Sequence, residues 1–289
     1  MKKQIIEFIL YLKVERNYAL NTQQAYERDL NQLLAFLKVQ NISSWSALDT
    51  QMLNVFIMQL RHKNISSRSI RRYLSSIKGF LTYLVNQNQL KQNCAIQLRT
   101  PKIKQTLPNT LHYEQLLQIL KTTGNARFED RDVAIIEVIY SCGLRVSELT
   151  SLNVSDVDLS QGFLSVMGKG SKIRHTPLGR SAQQAISQHL KTHQANALFV
   201  NKNGDRIGVR SVQNMIKKRA LAAGVKINVY PHMLRHAAAT HFLQSSHDLR
   251  STQEFLGHAS IKSTQVYTHL DFLELSKVYD QCHPRAKKS

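Results

Sequence analysis

Seven side chains in the second half of the sequence are of types, and at spacings, that could do chemistry. Arg145 follows Cys142-Gly143-Leu144 and has Glu148 three positions on. Lys169 stands between Gly168 and Gly170, and His232-Met-Leu-Arg235-His236 follows Pro231. His258 follows Leu256-Gly257, and Tyr267 comes nine residues later. Guanidinium groups are planar, permanently charged forks that suit phosphate oxygens. Imidazole, ammonium and phenol groups can move protons or attack. Two familiar chemistries fail on spacing. His232 and His236 stand at i, i+4, but no carboxylate or cysteine accompanies them at a zinc-binding interval. Around Gly168-Lys169 a phosphate loop is excluded, because Gly162 is one residue too far upstream and Gly170 replaces the required Ser or Thr. No metal and no other cofactor is expected.

Taken singly, each group also has an ordinary reading. Arg-Val-Ser-Glu is a surface helix with a local ion pair of little worth, a lysine between glycines is a solvated turn, and one tyrosine among ten packs. Charge narrows the choice. Lys plus Arg number 39 against 19 Asp plus Glu, a formal net charge of +20. Such an excess repels itself in a compact fold and points to a polyanionic partner, nucleic acid first and an anionic membrane second. At 42% hydrophobic residues, the chain can build a core, so wholesale disorder is excluded. Three scattered cysteines make neither a disulfide framework nor a zinc site and fit a reducing cytosol. Glu7 interrupts the apolar start, and no uncharged run approaches the roughly 18 residues of a membrane span. A soluble, cytoplasmic protein is expected.

Two modules must position these groups. Pro101 and Pro108 mark a linker over 99–110, giving an amino-terminal domain over 1–104 and a carboxy-terminal domain over 105–289. The first carries 16 basic and 5 acidic side chains and the second 23 and 14, so both are basic and could close on a polyanion as a clamp. The first reads as all helix, from the spacing of Tyr26, Leu30, Leu33, Leu34 and Leu37 and of Leu53, Phe56, Ile57 and Leu60, with Asn21, Asp49 and Ser66 as N-caps. From Ser66 to Asn86, Ile70, Leu74, Ile77, Leu81 and Leu84 form one stripe. Arg68, Arg71, Arg72 and Lys78 fall opposite, with Ser75, Ser76 and Gly79 on or beside that basic face. It is read either as a solvated surface or as a DNA-binding face. The second module is mixed, with helices near 112–122, 130–142, 181–193 and 210–222. A β-hairpin spans 162–178 and a short strand 197–200. A helix runs from Pro231 to about Leu243, and Asp248 caps another ending near Gly257.

The ordered set Arg145, Lys169, His232-x-x-Arg235, Leu-Gly-His258 and Tyr267 resembles the catalytic pattern of the tyrosine recombinase (phage integrase-like) family, across about residues 110–285. Gly143-Leu-Arg-Val-Ser-Glu-Leu149, Val166-Met-Gly-Lys-Gly-Ser-Lys172, Thr264-Gln-Val-Tyr-Thr-His-Leu-Asp-Phe272 and Val278-Tyr-Asp-Gln-Cys-His-Pro-Arg-Ala286 are most similar to its bacterial, chromosome-dimer-resolving members. One departure is Ala237-Ala238, where the family commonly has Ser or Thr and then Phe.

The resemblance implies a mainly α fold: a helical core-binding domain plus a mostly helical catalytic domain with a small antiparallel sheet, forming a clamp around DNA. It implies Tyr267 as nucleophile, Arg145, Arg235 and His258 on the phosphate, Lys169 as acid, His232 as base and Glu148 as support. The implied partners are double-stranded DNA at a dif-like site and a second recombinase of the family in a heterotetramer. A mobile-element integrase and a catalytically silent architectural protein are the alternatives. The apolar stretch Phe272, Leu273, Leu275, Val278 and Tyr279 belongs to a terminal helix that packs within its own chain or into a neighbour.

Overall fold

A computed structural model describes residues 1–98, 110–124, 126–168, 173–257 and 269–286. The chain separates into two compact units, Met1–Leu107 and Pro108–Ser289, each around its own apolar cluster. Nearly all of the expected linker, 99–109, lies outside the described residues. Among the described residues no helix is long and apolar enough to cross a membrane.

The first unit contains α1 (Lys2–Val14), α2 (Leu20–Val39), α3 (Thr50–His62) and α4 (Ser67–Asn86). Two of the three expected caps form. The Asp49 carboxylate accepts from the Met52 N–H at 2.7 Å and the Ser66 hydroxyl from the Ser69 N–H at 3.2 Å. Asn21 does not cap, because α2 starts one residue earlier and the Ala19 carbonyl takes the first amides, of Thr22 and Gln23. The stripe of α4 is buried as its period requires, and Trp45 meets Phe80 edge-on at 4.8 Å.

The face opposite that stripe differs from its expectation. Arg68 and Arg71 are exposed. Arg72 is exposed as well, and also forks onto Asp29 of α2, donating from Nε at 2.9 Å and Nη2 at 2.8 Å. The Asp29 side chain is 1% exposed, so this pair ties two helices together. Lys78 donates to the carbonyls of Ile96 and Leu98, closing the end of the unit. Ser76 is fully buried and donates to the Tyr73 carbonyl. Two of the four cations thus also have partners more than a dozen residues away along the chain.

The second unit begins with α5 (Tyr113–Lys121), α6 (Glu129–Ser141) and α7 (Val146–Ser151). Strands β1 (Val157–Asp158), β2 (Phe163–Met167) and β3 (Ile173–Pro177) form an antiparallel sheet in that order, with Val166 opposite Arg174. Helices α8 (Arg180–Leu190), α9 (Val209–Ala222), α10 (Pro231–Ser246), α11 (Leu249–Phe255) and α12 (His269–Cys282) follow. The architecture is the expected one, mainly helical with a small antiparallel sheet. The expected strand at 197–200 is replaced by two isolated bridges, Asn153 with Ala197 and Val200 with Arg206. Leu198 donates to the Leu152 carbonyl while the Phe199 carbonyl accepts from Ile207, so backbone groups divide between two loops and no ladder forms. The apolar signal there came from burial, since both side chains are in the core.

Helix α12 packs within its own chain, against α10, α11 and β3. Leu275 and Tyr279 are buried, and Tyr279 stacks on His283 at 4.6 Å. Arg285 then forks onto the buried Glu137 carboxylate. The tail lies so close to Gly179 that a Cβ there would sit 2.6 Å from both the Tyr279 hydroxyl and the Arg285 carbonyl oxygen. The side chains of Phe272 and Leu273 lie outside the described residues.

Replacing Arg72 by Ala should leave the Asp29 carboxylate with only a long bond from Ser76, at 3.4 Å, among the described residues. An under-satisfied buried acceptor of this kind costs about 1–3 kcal/mol. Arg68→Ala and Arg71→Ala should stay within about 0.5 kcal/mol of the parent. Urea unfolding followed by circular dichroism separates these outcomes; equal midpoints for all three variants would contradict the assignment.

Candidate active site

The site starts at the end of α6. Gly143 takes a left-handed conformation, φ +58°, and packs so tightly that a Cβ would meet the Phe255 ring at 2.9 Å. This turn fixes where α7 begins. Arg145 is the residue before α7, in extended conformation, and the Glu148 carboxylate reaches back to accept its backbone N–H at 2.8 Å. That bond satisfies one of the amides every helix start leaves open. It also places the carboxylate beneath the Arg145 guanidinium, which donates from Nη1 at 2.7 Å.

Two further guanidinium groups converge on Glu148. Arg174, on β3, donates to it twice, at 3.1 and 2.9 Å. Arg235, in the first turn of α10, brings Nη1 to 3.8 Å. Arg235 is 4% exposed and is braced by two carbonyls, donating to Gly143 and, at 2.7 Å, to Leu256. Those carbonyls stand just before Arg145 and just before His258 in sequence. The turns leading to two candidate residues therefore hold a third.

Among the described residues the electrostatics are lopsided: three permanent cations share one anion. Burial works to push the Glu148 carboxyl up, but the Arg174 fork, the Arg145 amide and the cationic charge outweigh it and hold it below the usual carboxylate range. Arg235 is drawn down to about 10, first by burial and then by the Arg145 charge, with Glu148 opposing. It stays protonated at neutral pH. Arg145 keeps 44% of its side chain exposed, so the surplus charge opens to solvent there. An anion with several oxygens is what such a cluster would bind.

His232 sits in the same first turn of α10, exposed. Burial, then the charges of Arg235, His236 and Arg145, lower its imidazole pKa below the ordinary 6.5. It is neutral at pH 7 and able to accept a proton. Ala237 and Ala238, the departure from the family pattern, are both buried in the core. Lys169, His258 and Tyr267 lie outside the described residues, as does the hairpin tip at 169–172. Their brackets are defined: β2 ends at Met167, β3 resumes at Ile173, Gly257 closes α11, and α12 begins at His269. The described residues thus bring together Arg145, Glu148, Arg235 and His232.

Sequence reasoning missed Arg174. A signal existed. In the hairpin, Leu164 and Val166 form the inward row, and register sets Arg174 opposite Val166. An arginine in a buried row requires a buried carboxylate.

The phage integrase family matches residues 109–274, and its N-terminal SAM-like domain matches residues 5–88. The chain is 44% identical over 297 aligned positions to tyrosine recombinase XerC of Pseudomonas fluorescens, covering 100% of this chain and 98% of that protein. To tyrosine recombinase XerC of Pseudomonas aeruginosa it is 40% identical, covering 100% and 97%. Among solved structures, the XerH site-specific recombinase bound to a palindromic difH substrate, a post-cleavage complex, is similar at TM-score 0.69 and 25% identity, covering 92% of this chain and 81% of that one. A lambda integrase dimer on a core site superposes at TM-score 0.74 with 15% identity, covering 92% and 98%, a likeness of fold alone. Matches over both units, to relatives of nearly equal length, give one conclusion: the chain belongs to the phage integrase family of tyrosine recombinases.

Proposed function

We propose that this tyrosine recombinase cuts and rejoins double-stranded DNA at a specific, dif-like site through a 3′-phosphotyrosyl link on Tyr267. The observation that carries the reading is the surplus of guanidinium charge around Glu148, with Arg145 open to solvent. A phosphodiester bears one negative charge and gains more on its non-bridging oxygens when attacked. Arg145 and Arg235 meet that charge with preorganised forks, and His258 adds a donor. Removing one donor of this type typically costs about 3–4 kcal/mol in the barrier.

The Tyr267 oxygen bonds to phosphorus as the bond from phosphorus to the 5′-oxygen breaks. With an ordinary phenol pKa of about 10, only about one tyrosine in a thousand is ionised at pH 7, so a base assists. His232 takes the phenolic proton, and Lys169 gives one to the departing 5′-oxygen. The product is again a phosphoester, so another strand's 5′-hydroxyl can reverse the step without ATP.

Exchange between two duplexes needs four cleavages and so four subunits. The full-length likeness to XerC recombinases supports a heterotetramer with a XerD-like recombinase that resolves chromosome dimers in the cytoplasm. In this reading residues 1–104 are the core-binding domain and 105–289 the catalytic domain, and each contacts the duplex. Arg68 and Arg71 contact phosphates, while Arg72, paired with Asp29, and Lys78, bonded to two carbonyls, brace that face.

A suicide substrate nicked beside the scissile phosphate tests the chemistry. Wild type should accumulate covalent protein–DNA complex and Tyr267→Phe none; equal trapping by both, or by neither, would overturn the reading. The pH profile tests the base. His232 must be neutral to act, and its free-protein pKa is depressed, so activity is retained as pH falls to 6.5 and is lost only below it. Cleavage at subsaturating DNA should show an acid limb below pH 6.5 that His232→Gln removes. A limb centred at or above pH 7 would contradict the assignment.

A further inference from the structure

The least expected member of the cluster is Arg174, which none of the family's catalytic roles claims. It is 8% exposed, and in the hairpin register its side chain occupies the row of Leu164 and Val166. An isolated guanidinium in such a place is costly. Its fork onto Glu148 is the fully bidentate pair in the cluster, whereas the Arg145 side chain donates one bond and Arg235 stands at 3.8 Å. A bidentate pair fixes the plane of a carboxylate as well as its place. Glu148 in turn directs Arg145.

The other side of Arg174 meets Gly257. A Cβ at 257 would stand 2.5 Å from the arginine Nε and 2.8 Å from Cδ and Cζ, and Gly257 holds φ +60°. The Nε–H is buried with no acceptor among the described residues. The guanidinium is thus wedged between the carboxylate that orients Arg145 and the glycine that precedes His258. Its strand is the one that leaves the hairpin tip bearing Lys169. The carbonyl of Leu256, beside that glycine, accepts from Arg235.

We propose that Arg174 is a positioning residue for strand cleavage: by fixing the Glu148 carboxylate from below and passing under Gly257, it sets Arg145, Arg235 and the turn into His258 in register with one another. The inference rests on the tyrosine recombinase reading above. Arg174 itself touches no DNA in this account. Its influence is geometric, and a displacement of about 1 Å at a reacting centre can cost about 100-fold in rate.

A double-mutant cycle in the full-length protein tests it. Single-turnover formation of covalent complex is measured on the nicked substrate for wild type, Arg174→Met, Glu148→Gln and the double variant. DNA affinity is measured for each in a Tyr267→Phe background. Arg174→Met should slow cleavage by about 100-fold while affinity stays within about threefold. The double variant should be no slower than the slower single variant, because both changes break one device. Multiplying effects would show that Arg174 acts apart from Glu148, and a rate within threefold of wild type would show that it positions nothing; either overturns the proposal. Should Arg174→Met fail to fold, Gly257→Ala pushes on the guanidinium without removing its charge. The same slowing at unchanged affinity is expected there, and wild-type cleavage by folded Gly257→Ala overturns the proposal. If wild type forms no covalent complex, the recombinase reading has failed instead.

Discussion

A carboxylate with 8% of its side chain exposed, shared by three guanidinium groups, is the constraint around which the second unit is arranged. Charges removed from water must be paired, and one anion cannot balance three cations. The remainder has to be met by solvent at Arg145 or by a ligand. In the proposed reaction a DNA phosphate supplies the missing negative charge, and supplies more of it as phosphorus is attacked. Under that proposal the cluster is completed by substrate and most nearly balanced in the transition state, which is the condition for catalysis by differential binding. Burial first, and then the Arg145 charge, draw Arg235 down to about 10 in the free protein.

The fold exists to make these groups meet. Glu148 is placed by a helix start, Arg174 by a strand row, and Arg235 by the proline-initiated turn of α10. Each element is held by packing remote from the chemistry. Gly143 lies against Phe255, and Phe255 stacks on Phe242 of α10 at 5.0 Å. The tail helix seals the same core through Tyr279 and His283 and is pinned by Arg285 on Glu137. Burial pulls the His283 imidazole down to about 3, so this seal keeps it neutral through the physiological range. Tail docking and active-site geometry therefore share one set of aromatic side chains.

What the sequence made legible was local. Asp49, Ser66 and Asp248 cap the helices that follow them because a cap needs only the next few amides. The stripe of α4 was readable from its period. The order Arg145, His232, Arg235 could be read through the family resemblance; the structure brings Arg145 and Arg235 to Glu148, and His232 feels the charge of both arginines. What stayed hidden depended on partners far along the chain. The Arg72 fork was not legible because Asp29 lies on another helix, nor were the Lys78 bonds, because their carbonyl acceptors lie in a later loop. Arg174 was passed over because its meaning needs both the hairpin register and a carboxylate on α7. Residues 197–200 read as a strand because burial and strand pairing leave the same apolar trace.

The central claim is that one carboxylate brings two arginines to one phosphate. The most direct measurement is a crystal structure of the Tyr267→Phe protein on its recombination-site duplex. The account predicts the Arg145 and Arg235 guanidinium groups within hydrogen-bonding distance of the same scissile phosphate, with Glu148 still joining Arg145 to Arg174. Arginines on different phosphates, or turned from the DNA with the Glu148 cluster intact, would contradict it.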